Sequence, residues 1–114
     1  MKYTHEIIDN ILRIRLSGDL IGEDSGMNLV GIANDSLSQD VKLCIIDISD
    51  LRYINSSGIG VLITILTKFR NKGGEVYLLH PSENVQKLLI ITKLNAIFQI
   101  ADNEDEAVQK LKKS

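Results

Sequence analysis

The residues best suited to chemistry form a polar tetrad, Asn55-Ser56-Ser57-Gly58, between two strongly apolar segments. Asparagine and serine are preferred N-cap residues, so the simplest interpretation is that the tetrad only begins a helix. Three hydrogen-bonding side chains in a row nevertheless exceed what one cap needs. A hydroxyl at a helix N-terminus is also well placed to carry a phosphoryl group, because free N–H groups and the helix dipole favour an anion. Phosphorylation at Ser56 would add roughly −1.5 to −2 charges there.

The segment after the tetrad, residues 57–70, is predicted to be a helix. Its apolar arc covers more than half the circumference, whereas a one-sided amphipathic helix needs only about 100°. Either this helix is almost wholly buried, or part of its apolar surface docks a partner. The candidate docking residues are Ile59, Leu62 and Ile63, and Gly58 and Gly60 are predicted to let a partner approach closely.

Strand patterns occur at five places in the chain. Residues 3–9 and 11–17 are predicted to form two strands joined tightly at Asp9-Asn10, and residues 18–22 a turn or loop. The nearly continuous apolar run 41–48 predicts a covered central strand, followed by a loop over 49–54. Residues 75–79 and 97–101 complete the set.

Four helices are predicted to alternate with the later strands. The first begins at Glu23, Asp24 and Ser25, and its predicted apolar face consists of Met27, Leu29, Val30, Ile32, Ala33 and Leu37. The second ends before Gly73-Gly74, the third runs from residue 81 to about 94, and the last covers 103–113. This order predicts an α/β sandwich with a partly parallel sheet, in one domain over residues 1–114.

Composition excludes several classes of function. The 114 residues are 44% hydrophobic and 25% charged, as in an ordinary globular domain. Thirteen Lys and Arg face fifteen Asp and Glu without a basic stripe, so no nucleic-acid partner is predicted. No stretch reaches the ~18 apolar residues of a membrane span, and the N-terminus lacks a signal-peptide pattern. The one cysteine, Cys44, allows no intramolecular disulfide and indicates a reducing, intracellular setting. The chain begins at Met and ends in a predicted polar helix, so we expect a complete small cytoplasmic protein, and we expect it to be a monomer.

Other chemistries are open to these residues, but each has a simpler alternative. Asp47, Ser56 and His80 can be drawn as a hydrolase triad, yet the Gly-x-Ser-x-Gly pattern is missing around Ser56. Asp47 ends a buried strand like a receiver phosphoacceptor, but the accompanying acid pair for Mg²⁺ is missing, and backbone hydrogen bonding is favoured. His5 and His80 lie in no ligand motif. We therefore predict no catalytic residue, no metal and no cofactor.

The stretch Asn55-Ser56-Ser57-Gly58-Ile59-Gly60-Val61-Leu62 resembles the signature of the STAS family, in its bacterial anti-sigma factor antagonist branch. That signature usually has an acidic residue, Ser, then Ser, Thr or Ala, then Gly, followed by apolar-Gly-apolar-Leu. Further similar segments follow the family order along nearly the whole chain: Gly18-Asp19-Leu20, Leu43 to Ser49, Gly73-Gly74-Glu75-Val76, Leu88 to Phe98 and Ala107-Val108.

The resemblance implies a STAS-type sandwich with a mixed β-sheet of four to five strands and about four α-helices. It implies a regulatory binding module, an anti-sigma factor antagonist, in which Ser56 is phosphorylated by a serine kinase that is also the anti-sigma factor. The unphosphorylated form binds the kinase and releases the sigma factor, and a serine phosphatase resets the switch. By the same resemblance, Asn55, Ser57 and Gly58 are expected to shape the helix start around the phosphosite, and Asp19 joins the partner-contact candidates.

Two departures from the family pattern bear on the partner. Asn55 stands where the family commonly has Asp, and Ile21 stands where an Asp often continues the early turn. Asparagine still caps a helix, so we expect the fold to be unaffected and kinase preference to differ. STAS-like modules also serve as scaffolds, so the alternative function is a scaffold or a partner-switching regulator of a non-transcriptional target.

Overall fold

The computed structural model describes residues 2–21, 23–79 and 82–113, with residues 23–25 and 113 described by their backbone alone. The elements are β1 (Lys2–Ile8), β2 (Ile11–Leu20), α1 (Glu23–Ser38), β3 (Leu43–Ile54), α2 (Ser56–Asn71), β4 (Glu75–Leu79), α3 (Glu83–Ile91), a 3-10 turn (Leu94–Ala96), β5 (Gln99–Ala101) and α4 (Glu104–Lys113).

The five strands form one mixed sheet in the order β1-β2-β3-β4-β5. Strand β1 is antiparallel to β2, and the remaining neighbours are parallel. The hairpin turns tightly because Asp9 and Asn10 have φ values of 55° and 64°, the left-handed pair that matches strand twist. This sheet, with its four helices, confirms the predicted fold class.

Both faces of the sheet are covered in its centre. The larger core lies under α1, α2 and α3, and a smaller cluster on the opposite face packs against Ala107 and Leu111 of α4. Successive strand residues point to opposite faces, so Ile11 is buried in the smaller cluster and Leu12 in the larger one. This explains why Ile11 interrupts the alternation of apolar and polar residues that the sequence shows there.

Two predicted loops are wrong. Strand β2 continues to Leu20 and β3 to Ile54, where the sequence analysis placed a turn over 18–22 and a loop over 49–54. The two extensions pair in parallel with register shifts, one of them next to Gly18 at φ 87°. Turn-forming residues suggested loops, but pairing with a neighbouring strand and a glycine-assisted irregularity keep both segments in the sheet.

Smaller differences concern helix faces and ends. Met27 was predicted on the apolar face of α1, but its side chain is 75% exposed, whereas Leu29 and Ala33 are buried. Helix α3 ends at Ile91 rather than near residue 94, and Lys93 takes a left-handed φ of 61° before the 3-10 turn. No helix within the described ranges is long and apolar enough to cross a membrane.

Candidate functional site

Helix α2 begins with a side-chain cap. Asn55 has extended backbone angles (φ −98°, ψ −179°), and its Oδ1 accepts a hydrogen bond from the Gly58 N–H at 2.8 Å. Ser56 is the first helical residue, and both Ser56 and Ser57 are exposed. Among the residues described, neither serine hydroxyl forms a hydrogen bond. One side chain of the tetrad therefore provides the cap, and two hydroxyls face solvent at the positive end of the helix dipole.

The start of α2 rests on the end of β2. The Asn55 N–H donates to the main-chain oxygen of Leu20 at 3.2 Å. Gly58 is buried, and a Cβ on it would lie 2.3 Å from the same oxygen and 2.9 Å from Cγ1 of Ile54. The expectation that Gly58 allows a partner to approach is therefore wrong, because internal packing occupies that space. Gly60 is exposed and has nothing within 4 Å of its Cβ position.

The faces of α2 separate the predicted docking residues into two groups. Leu62 is 0% exposed, so the prediction that it contacts a partner is wrong. It belongs to the stripe that packs on the sheet, which consists of Gly58, Leu62, Ile65, Leu66 and Phe69. Ile59 and Ile63 are half-buried and remain partly accessible beside the exposed Gly60.

Asp19 lies at the same edge as the tetrad because its strand pairs with β3 just before α2 begins. In that register Asp19 faces Tyr53. The Asp19 carboxylate forms an exposed ion pair with Arg52, with Nη2 to Oδ2 at 3.5 Å. Tyr53 is 51% exposed and Ile21 is 54% exposed. In the sequence, Ile21 bears on the partner only as a departure from the family pattern, and the default interpretation of Tyr53 is a surface loop residue, although large side chains flanking the tetrad were a usable signal.

A groove runs between α1 and α2 from the first turn of α2. The two helices approach closely because α1 has a glycine at the crossing, and a Cβ on Gly26 would lie 2.5 Å from Cγ2 of Val61. Ser57 and Gly60 line the groove from α2, and the exposed Met27 lines it from α1. Met27 therefore belongs to the surface around the tetrad and not to the core.

The other chemically interesting residues have structural partners or lie outside the description. Asp47 Oδ1 accepts a hydrogen bond from the Ser49 N–H at 3.0 Å, which confirms the backbone role expected for it. Cys44 is buried in the sheet, and burial raises the pKa of its thiol. His80, the third member of the hydrolase triad, lies outside the described residues. No group of three potential metal ligands occurs within them.

A mixed five-stranded sheet with four helices, and a serine-rich helix start at one edge, define the class as a STAS-type α/β sandwich. The STAS domain family model matches residues 2–107 of the chain. The chain therefore belongs to the STAS domain family.

Relatives and solved structures support this placement. The anti-sigma F factor antagonist of Paenibacillus polymyxa is 29% identical over 101 residues, covering 89% of this chain and 86% of the relative. The crystal structure of TM1081 from Thermotoga maritima is 24% identical, with a TM-score of 0.87 over 96% of this chain and 94% of that one. SpoIIAA, an anti-sigma factor antagonist solved unphosphorylated, is 19% identical, with a TM-score of 0.77 over 97% and 98%. A phosphorylated Bacillus SpoIIAA has 22% identity and a TM-score of 0.75 over 96% and 98%. The solved structures share the fold with this chain.

Proposed function

We propose that this chain is an anti-sigma factor antagonist, and that phosphorylation of Ser56 switches off its binding to an anti-sigma factor serine kinase. The observation that supports the proposal is that Asn55 and Ser56 have different roles at the start of α2. Asn55 caps the helix, which leaves the exposed Ser56 hydroxyl uncommitted among the described residues. The relatives named anti-sigma factor antagonist, and the phosphorylated SpoIIAA structure, support the same assignment.

The local electrostatics favour a phosphoryl group on Ser56 in the free protein. The first turn of α2 contains no acidic side chain, and the N-terminal N–H groups and dipole stabilise an anion. Asn55 is neutral, where the family commonly has Asp, so the residue directly before Ser56 adds no carboxylate. The folded domain therefore tolerates the modification.

The surface around Ser56 explains why a bound partner would not tolerate a phosphoryl group on this residue. Four apolar side chains that precede or follow the tetrad in the chain are exposed or half-buried, and we call them the apolar rim: Ile21, Tyr53, Ile59 and Ile63. A partner that covers the apolar rim removes Ser56 from water. Burying a phosphoryl group of roughly −1.5 to −2 charges without a matching cation is costly, so the phosphorylated form dissociates.

The same proposal defines the cycle and its partners. The unphosphorylated chain binds the kinase and frees the sigma factor, phosphorylation releases the kinase, and a serine phosphatase restores the binding form. In this cycle the chain is a cytoplasmic binding module without catalytic residues or a cofactor of its own, and it does not bind nucleic acid.

Phosphopeptide mapping tests the acceptor. The protein is purified from the cells that produce it, in parallel with S56A and S57A variants. Ser57 is the matched control because it is also exposed and follows directly in the same helix turn. We expect a phosphoryl group on the peptide that contains Ser56 in the native protein and in S57A, and none in S56A. Phosphorylation that persists in S56A would contradict the proposal.

Binding to the purified kinase then tests the switch. We expect S56D to bind at least about tenfold more weakly than the native chain, a difference of about 1.4 kcal/mol. S56A is expected to bind as well as the unphosphorylated protein and to resist inactivation. Undiminished binding of S56D would exclude charge as the switch.

A further inference from the structure

Strand β1 leaves one edge of the sheet open. Among the described strands it has a hydrogen-bonded neighbour, β2, on one side only. Six of its seven residues are exposed, and Tyr3 is half-buried. An open edge presents unpaired main-chain N–H and C=O groups to any strand that can approach it.

The hairpin turn decides which main-chain groups of β1 point outward. The turn has two loop residues with positive φ, Asp9 and Asn10, and it closes on the pair Ile8 and Ile11. The closing pair of such a turn exchanges hydrogen bonds across the hairpin. In an antiparallel ladder this orientation repeats at every second residue.

The main-chain N–H and C=O groups of every second residue, counted back from Ile8, therefore point toward β2. Those of the residues between them, Tyr3, His5 and Ile7, point toward the open edge. Side chains alternate between the two faces of the sheet, so Lys2, Thr4 and Glu6 share one face. Among the described residues, the side chains of Lys2 and Glu6 form no ion pair, and Arg13, which faces Glu6 across the hairpin, pairs with Glu104 instead. A cation and an anion on the same face of the edge strand are therefore available to a partner strand.

We propose that β1 pairs antiparallel with β1 of a second copy of this chain, about a two-fold axis through Thr4. In this register Tyr3 faces His5 of the other copy, and both residues point main-chain groups at the open edge. Lys2 faces Glu6 of the other copy, and the symmetry repeats this charge pair at the other end. The two five-stranded sheets then form one continuous sheet.

The alternative registers lack this match. With the axis at His5, Glu6 faces Thr4, and with the axis at Glu6, two glutamates face each other, which is unfavourable. With the axis at Tyr3, Lys2 faces Thr4. Only the axis at Thr4 pairs opposite charges at both ends.

The charges also argue against an unrelated partner strand. Edge charges normally hinder pairing with foreign sheets. On β1, Lys2 and Glu6 match Glu6 and Lys2 of an antiparallel second copy, so the same charges favour a second copy of this chain. The opposite edge of the sheet is β5, which has three residues and offers a short ladder. A β1 to β1 contact closes by two-fold symmetry, whereas a β1 to β5 contact would grow without limit.

The contact is small, so the association is expected to be weak. Interfaces below about 1,200 Å² are typical of transient complexes. We expect weak binding, with a dissociation constant of about 10 to 1,000 µM. Sedimentation velocity over a concentration series, with any affinity tag at the C-terminus, measures it directly. A native chain that stays monomeric at about 1 mM would overturn the proposal, since even at the upper limit of the expected range about half of the chains would then be dimeric.

Charge reversal tests the register. The variant K2E places glutamates opposite each other, and E6K places lysines opposite each other. Each variant is expected to weaken self-association about tenfold, because like charges replace opposite charges at two positions. An equimolar mixture of K2E and E6K is expected to associate again, since each chain then supplies the charge that the other lacks. A mixture that behaves like the separate variants would overturn the register.

Glu6 faces Arg13 within the hairpin, so thermal unfolding is measured for E6K to confirm that it folds.

Disulfide trapping gives an independent measurement that does not depend on charge. On the proposed axis, T4C brings two cysteines to a non-hydrogen-bonded pair, whose Cα atoms lie about 4.5 Å apart, within disulfide range. The matched control, E6C, lies two residues from the axis and is too far from its copy. Cys44 is buried and does not compete. Under mild oxidation we expect T4C to form a covalent dimer at least tenfold faster than E6C. Equal rates would overturn the proposal.

Discussion

A β-carbon on Gly58 would lie 2.3 Å from the main-chain oxygen of Leu20, so the first turn of α2 sits directly against the end of β2. The same oxygen accepts the hydrogen bond from Asn55. The proposed phosphosite is thus positioned by main-chain contacts with the sheet, which leaves the serine side chains free for modification.

This contact predicts opposite effects for the two glycines at the start of α2. G58A forces the new methyl group against a main-chain oxygen and should lower the free energy of unfolding by about 1–3 kcal/mol. G60A adds a methyl group in open space and removes a helical glycine, so it should raise that free energy by up to about 1 kcal/mol. Urea denaturation measures both. Equal effects would contradict the contact between Gly58 and Leu20.

The cap predicts a second pair of variants. N55A removes the acceptor for the Gly58 N–H and should cost about 1 kcal/mol of the free energy of unfolding. N55D keeps an acceptor at the same position and should cost almost nothing. Chemical denaturation of the three proteins at neutral pH is the measurement. A loss in N55D as large as in N55A would show that the hydrogen bond is not the source of the effect.

Neighbouring residues of α2 should separate stability from binding. Leu62 is fully buried, so L62A should lower the free energy of unfolding by about 2–5 kcal/mol. Ile63 is half-buried on the apolar rim, so I63A should cost less stability and should weaken binding to the kinase. Unfolding and binding are measured on the same preparations. Full binding by I63A would remove this residue from the proposed interface.

Helix α4 predicts a dependence of stability on pH. The hydrogen bond from Lys110, and a second one from the Asp102 N–H, lower the pKa of Glu106. A carboxyl with a lowered folded pKa stabilises the protein above its unfolded pKa, and the stabilisation disappears as the pH falls through the folded pKa.

E106Q should therefore lose less stability than the native protein on acidification from about pH 5 to pH 3, the window just above and below an unperturbed glutamate pKa. D105N is the matched control in the same turn, because Asp105 forms no ion pair with a described residue. Thermal unfolding at several pH values provides the comparison. Parallel acid profiles for E106Q and the native chain would show that Glu106 contributes nothing.

Much of the architecture was predictable because the signals are local. The order of strands and helices follows from hydrophobic periodicity, and the tight hairpin follows from Asp9-Asn10, whose residue types tolerate positive φ. The tetrad identified the start of α2 because asparagine and serine are preferred N-cap residues. The family signature is equally a property of adjacent residues.

The tertiary structure alone decided which surfaces are covered. Leu62 and Ile63 are both apolar residues of the same predicted helix, yet packing on the sheet buries Leu62 and leaves Ile63 at the apolar rim. Met27 belongs to an apolar pattern but faces solvent because α1 meets α2 through Gly26. The open edge of β1 was equally invisible, since strand order depends on long-range pairing. Whether a residue is buried depends on the distant segments that pack against it, whereas local periodicity shows only that its own segment contains apolar residues.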